Sequence, residues 1–415
     1  MRWLPDRKTL VRAFWLAIAV LYTVAAGVGV YRTVHRHTDF TGFHSYAGLL
    51  ITQGRVFTQD NYPPSFHLLM VPFAALPLLP AAILWQLMNL AALAALPAVF
   101  HRLGRVSTTS QILPWLVVLP FVLDNLRLAQ NAPMLLLLVS LGLVWIRGAR
   151  PVLGGVLVGV AALVKVFPVL VLAVGAIFRR FWRPVLGAVA AALVVAAGLV
   201  ILVGAAHLPK DCARWVSYVH ERQSPALWTQ PEGAPPLRYN NQGLPVVLVR
   251  TLCRIRLRPR DRAVHLADWP VGIGLALYGV IAAATAATWC AAAWRSSRRR
   301  ADEAWLGMLA LTVLAVLVLS PLVRTHYFIW WVPGVVFLAD RRRFLAGLMA
   351  VSIVGLMIIP ARALGLHTWL SLLIFFLVFR ELWRMPAHAP EPSRAEGGIT
   401  EKHEARNPKQ IRIRQ

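Results

Sequence analysis

The chain has 415 residues, 58% hydrophobic and only 14% charged, with 43 Lys and Arg against 17 Asp and Glu for a formal net charge of +26. Soluble domains carry about a quarter charged residues, and a water-soluble fold of this size would leave too much apolar surface in water, so lipid must cover it. The basic residues form short clusters between apolar runs, which suits loops at an anionic leaflet and not a DNA groove; membrane lipids are expected partners and nucleic acid is not.

In chain order, Arg2, Arg7, Lys8 and Arg12 precede an apolar run from Ala13 to Val30. It is longer than a signal-peptide core and lacks a convincing cleavage site, so it reads as a first, uncleaved span with a cytoplasmic N-terminus. Further candidate spans lie near 80–100, 111–127, 131–146, 152–164, 166–179, 184–206, 270–294, 304–322, 327–339, 344–360 and 368–383. With 13–31 this makes an all-α, polytopic membrane protein with about 12 transmembrane helices. Lys165 to Pro168 breaks one apolar stretch into two helices, because proline lacks a backbone donor and charge is costly in lipid. The apolar stretch 66–79, interrupted by Pro72 and Pro77, is too short to span and is placed on the membrane surface.

With that choice, every segment assigned to the cytoplasm holds two or more Arg or Lys, from His101–Arg105 through Arg341–Arg343 to the tail after Arg380. The basic run Arg250–Arg262 is the exception, in a long outward loop where the rule is weak. Outward loops are expected at about 31–65 and 207–269, the second carrying an apolar surface helix at Leu244–Leu252. Residues 1–385 form one transmembrane domain, and 386–415 are polar enough for a disordered cytoplasmic tail. Cys212, Cys253 and Cys290 have no metal-site spacing, and a Cys212–Cys253 bridge is the one conceivable pairing.

Ionisable and amide side chains beside apolar helices mark function. Asp39, Lys165, Asn241, Gln242, Arg324 and His326 fall at outward helix ends, with Asp124, Arg127 and Gln130 at a hinge between spans. Asp39 reads equally as a general base for an acceptor hydroxyl or as a helix N-cap. Lys165 can hold a lipid phosphate or snorkel to the interface. His326 can assist proton transfer or bond to backbone, and Arg324 can pair with a phosphate or with headgroups. Tyr62-Pro63-Pro64 makes a rigid extended turn, and Trp330 and Trp331 suit an interfacial belt. No phosphate-binding loop, dinucleotide glycine motif, HExxH or GxSxG is present in the sequence. No metal cluster is evident.

These blocks resemble glycosyltransferase family 87, polyprenyl-phosphate-dependent membrane enzymes of the GT-C class that include mannosyltransferases of phosphatidylinositol-mannoside synthesis. The resemblance rests on Asp39, Tyr46, Gly54, Tyr62-Pro63-Pro64, Pro77, Gln130 before a Leu run, Lys165-Val166-Phe167-Pro168, Asn241-Gln242, and Ser320-Pro321 through His326, in order. It implies a GT-C fold with extracytoplasmic loops and interfacial helices. It implies an inverting transfer of a hexose, mannose first, from a polyprenyl-phosphate sugar donor to a glycolipid or glycan acceptor hydroxyl, on the outer face of the cell membrane. Asp39 would be the base, Lys165 a donor-phosphate contact, and His326 a neighbour of the reacting centre. Arg324, Gln130, Asn241, Gln242 and Tyr62 would bind substrate; no cofactor or metal is called for. The chain departs from the family pattern at Tyr327, where a second histidine is common, at Arg324, where Trp often stands, and at Ala129 and Gly243. A secondary transporter or lipid flippase is the alternative, although such folds show related halves and midplane charges.

Overall fold

The computed structural model describes residues 6–173, 182–224, 239–254, 266–297 and 303–385. Among them all regular structure is helical, apart from two isolated bridges, Asn241 with Arg324 and Cys253 with Trp269. The helices are α1 Arg7–His35, α2 Asp39–Gln53, α3 Pro64–Ala74, α4 Leu78–Gly104, α5 Ile112–Arg127, α6 Ala132–Arg147, α7 Pro151–Val164 and α8 Trp182–Val203. They continue as α9 Leu208–Gln223, α10 Leu244–Leu252, α11 Val271–Ser297, α12 Glu303–Leu319, a 3₁₀ helix Thr325–Trp331, α13 Val332–Phe337, α14 Arg342–Met357, α15 Ile359–Ala363 and α16 Leu366–Arg384.

Five helices, α1, α4, α8, α11 and α16, are long and apolar enough to cross a membrane. A sixth candidate is the pair α5 and α6, bent by 119° at its break. The outward faces are apolar as lipid contact requires: Val194 is 73% and Ile201 81% exposed on α8. By contrast α12 is apolar all round and buried nearly all round, enclosed by α4, α11, α13 and α16. Past Glu303 at its start, the hydroxyl of Thr312 in its middle is satisfied by donating to Met308 O (2.8 Å) and accepting from Trp289 Nε1 (3.0 Å).

Close helix approach uses glycine. Gly155 on α7 meets the backbone of Pro184, and Gly187 on α8 meets that of Val152, so that a Cβ at either would collide with main chain.

The structure corrects several sequence expectations. Among the described residues the five helices and the bent pair meet the length and composition of a span, against about twelve expected for the chain. The expected span 327–339 is a 3₁₀ helix followed by the six-residue α13. The span 344–360 breaks at Ile358 ahead of Pro360. Much of the outward loop 31–65 is helix, since α1 runs to His35 and α2 follows at once. The helix at Leu244–Leu252 forms with the expected bounds but not on the surface: Val246, Val247 and Val249 are fully buried against α11 and its neighbours. Arg250, in the expected basic outward run, is buried too and donates to Asn241 O (3.0 Å) and Ala363 O (2.9 Å). All three cysteines are free. The tail 386–415, residues 174–179 of the span 166–179 and the arginines at 256, 258 and 260 lie outside the described residues. At eleven residues, α3 is about 16 Å long, too short to cross, and it packs on α2 and α8.

Candidate active site

Asp39 is placed by a hydroxyl network. α1 ends at His35, and Thr38 is the N-cap of α2, its amide donating to Thr41 Oγ1 at 3.3 Å and its hydroxyl 2.9 Å from Thr33 Oγ1. Asp39 is therefore the first helical residue and not the cap. With capping done by threonine, its half-buried carboxylate lines a cavity.

Gln130 is placed by the break between α5 and α6. Ala129 adopts a left-handed conformation there, with φ of 52°, and carbonyls at the end of α5 lose their helical partners. Three side chains of α4 replace them: Trp85 Nε1 to Ala129 O (2.9 Å), Gln86 Nε2 to Leu126 O (2.7 Å) and Asn89 Nδ2 to Gln130 O (3.0 Å). The Tyr62-Pro63-Pro64 turn brings the Tyr62 hydroxyl to Gln130 Oε1 at 3.3 Å.

Arg324 and His326 sit on the segment after α12, which Asn241 and Gln242 pin from behind. Asn241 Nδ2 donates to Pro321 O (3.1 Å), its Oδ1 accepts from Val323 N (3.0 Å), and Gln242 N donates to Val323 O (2.6 Å). Asn125 on α5 completes the clamp, giving Nδ2 to His326 O at 2.5 Å. Lys165, the extended residue that ends α7, turns its ammonium to the rings of Tyr327 (4.2 Å) and Tyr62 (5.3 Å).

The cavity is about 290 Å³, and Asp39, Tyr62, Gln130, Arg324 and His326 all line it. Lys165 stands behind the two tyrosines. Asn241 and Gln242 do not line it; they hold its wall. Asp124 and Arg127 pair with each other at 2.9 Å. Sequence reasoning missed Asp60, which also lines the cavity, and the clamp residue Asn125. Asp60 stands just before the Tyr62-Pro63-Pro64 turn, the signal that could have found it.

A family model, glycosyltransferase family 87, matches residues 61–321, more than half of the chain. The chain belongs to glycosyltransferase family 87. Neither the curated proteins nor the solved structures give a match. This family 87 protein is thus a membrane glycosyltransferase by family and by its apolar helices. The matched stretch holds Tyr62, Gln130, Lys165, Asn241 and Gln242, whereas Asp39, Arg324 and His326 fall outside it and share the cavity by geometry.

Charges of both signs act on the family 87 cavity. Burial raises the Asp39 carboxyl above its ordinary value; Arg324 and Lys165 pull it down, and Asp60 and Asp124 push it up. His326, on the 3₁₀ helix outside the long spans, is held well below the usual histidine range by burial first, then by Lys165 and Arg324. It is a neutral imidazole there, able to donate and accept. Among the described residues no group of three or more His, Cys, Asp or Glu side chains is placed to ligate a metal.

Proposed function

We propose that this glycosyltransferase is an inverting enzyme that moves a hexose, mannose as first candidate, from a polyprenyl phosphate to a hydroxyl of a glycolipid or glycan acceptor. The observation that carries the reading is one cavity holding the Asp39 carboxylate, the Arg324 guanidinium and the neutral His326, with the Lys165 ammonium behind its tyrosine wall. Asp39 takes the proton of the acceptor hydroxyl as that oxygen attacks the anomeric carbon from the face opposite the phosphate. The bond from the anomeric carbon to the phosphate oxygen breaks, and polyprenyl phosphate leaves with the electron pair. Arg324 stabilises the charge growing on the phosphate by direct contact, and Lys165 adds its charge from behind the tyrosine wall. The phosphate is already a leaving group, so the scheme calls on no nucleotide, redox cofactor or metal. Gln130 and Tyr62 orient the sugar, and Asn241 and Gln242 keep Arg324 in place.

The same reading sets the protein in the cell membrane with both termini cytoplasmic and the cavity on the extracytoplasmic side. Its support is charge. Arg147 reaches Arg102 O (2.9 Å), and Arg105, Arg341 and Arg384 gather round a second cavity at the far end of α4. Clustered arginines mark the cytoplasmic side. A GT-C arrangement of about twelve crossings then needs shorter apolar helices, α7 and α12 among them, to serve as partial crossings beside the long ones.

The test is a panel of radiolabelled prenyl-phosphate sugars given to the purified protein in vesicles with a membrane-lipid acceptor extract. Transfer from one donor, with inverted configuration in the product by NMR, is the expected result. Movement of labelled lipid between leaflets with no glycoside formed from any donor would favour the transporter and overturn the enzyme.

A further inference from the structure

The cavity holds a second carboxylate that the scheme above does not use. Asp60 Oδ1 accepts the Asn61 amide at 2.6 Å, and Oδ2 lies 3.3 Å from Nε2 of His67 on α3. Its main-chain oxygen accepts the indole N–H of Trp215 on α9 at 3.1 Å. His67 is fully buried beside the Tyr46 ring, and its Nδ1 has no hydrogen-bond partner. The tautomer carrying its proton on Nε2 therefore donates to Asp60. The carboxylate is fixed at both oxygens and at its backbone, and is 13% exposed.

An ionised carboxylate has about four acceptor positions, and these contacts occupy two. Asp60 would repel a phosphate; it stands with His67 and Tyr46, whereas the Lys165 ammonium lies over the rings of Tyr327 and Tyr62. Tyr46 is itself held flat against Phe57, with ring centroids 4.1 Å apart and planes 9° from parallel. A rigid carboxylate beside a braced aromatic ring suits a sugar, whose hydroxyls donate to the one and whose C–H face lies on the other. At about 290 Å³ the cavity has room for a sugar ring.

We propose that Asp60, held by His67 and Trp215, is a specificity-determining residue whose carboxylate accepts hydrogen bonds from the ring hydroxyls of the sugar in the cavity. This rests on the transferase reading above. The donor's hexose and a sugar or cyclitol ring of the acceptor offer the same hydroxyl chemistry, and the experiment separates them.

The experiment compares wild type with Asp60→Asn on substrates in which one ring hydroxyl at a time is replaced by fluorine, which cannot donate. In wild type one replacement lowers kcat/KM by about 10- to 100-fold; in Asp60→Asn the same replacement lowers it by less than about 3-fold. The variant's KM rises for the substrate that carries the sensitive hydroxyl, naming donor or acceptor. His67→Gln, which keeps an N–H, retains the discrimination, and His67→Phe loses it. Folded Asp60→Asn with wild-type discrimination against every analogue overturns the proposal. If Asp60→Asn does not fold, His67→Phe carries the same comparison. A binding arm uses methyl hexosides and their fluoro analogues by saturation-transfer NMR. Hydroxyl-dependent binding that Asp60→Asn abolishes, with no turnover of any prenyl donor, overturns the transferase and leaves Asp60 as a sugar reader; turnover with unchanged discrimination overturns Asp60 alone.

Discussion

Replacing Asp39 by Asn removes the proposed base with almost no change of shape. The structural loss is small, because Thr38 and Thr41 cap α2 and keep doing so. What the helix loses is one anion in its first turn, about 0.3–1 kcal/mol. The chemical loss is larger: a positioned base supplies about 10²–10⁴-fold, or about 3–5 kcal/mol of barrier. Single-turnover transfer from a labelled prenyl-phosphate donor should therefore fall at least about 100-fold, with the thermal unfolding curve nearly unmoved. The pH profile gives the sign check. Burial holds the Asp39 pKa above its ordinary 3.8, so the base form, and the rate with it, is lost as pH falls through a value above 3.8. Arg324→Gln removes a cation that favours the carboxylate, which raises the pKa further and moves that acid limb to higher pH. Full activity of Asp39→Asn, or an acid limb that moves to lower pH in Arg324→Gln, would refute the assignment.

Three further outcomes concern the scaffold. Asn89→Leu leaves the buried Gln130 carbonyl without its donor and should lower unfolding stability by about 1 kcal/mol, read as an earlier thermal transition in detergent; an unchanged transition would remove α4 as the support of the break. Ala129→Gly should be tolerated, since glycine suits φ of 52°. Ala129→Val puts a β-branched side chain into that conformation and should destabilise by about 2 kcal/mol, so equal melting of the two variants would contradict a left-handed residue there. Gly155→Leu drives a side chain into the Pro184 backbone and should destabilise by about 1–3 kcal/mol or more. Ile201→Leu, on the lipid-facing side of α8, serves as the neutral control.

What the sequence makes legible is what a single segment decides. The break after Val164 follows from a charge and a proline three residues apart, and α7 does end there, with Lys165 extended. The Tyr62-Pro63-Pro64 turn and the bounds of the Leu244–Leu252 helix are local in the same way. What escapes is set by partners distant in the chain. Apolar composition cannot tell a helix facing lipid from one facing protein, so α10 reads as a surface helix until its burial is seen. It cannot tell α-helix from 3₁₀ helix either, which is why 327–339 reads as a span. Asn241 and Gln242 look like ligands because they are amides beside apolar helices, but their side chains bond main-chain groups: Asn241 reaches Pro321 and Val323, about eighty residues away, and Gln242 reaches Tyr239 and Arg362. Asp60 and His67 are seven positions apart across a proline turn, a spacing that belongs to no motif, and the contact shows only in the folded chain.

The uniform apolarity of α12 also bears on how the chain is assembled. Two of the helices that enclose it, α13 and α16, follow it in sequence and leave the ribosome later. Until they arrive, one flank of α12 must be solvated by acyl chains, and a helix with no polar stripe tolerates that interval, whereas one built to present a hydrophilic face to its neighbours would not. The segment at the centre of the finished bundle is thus equally suited to wait in the bilayer for the rest of the protein to close round it.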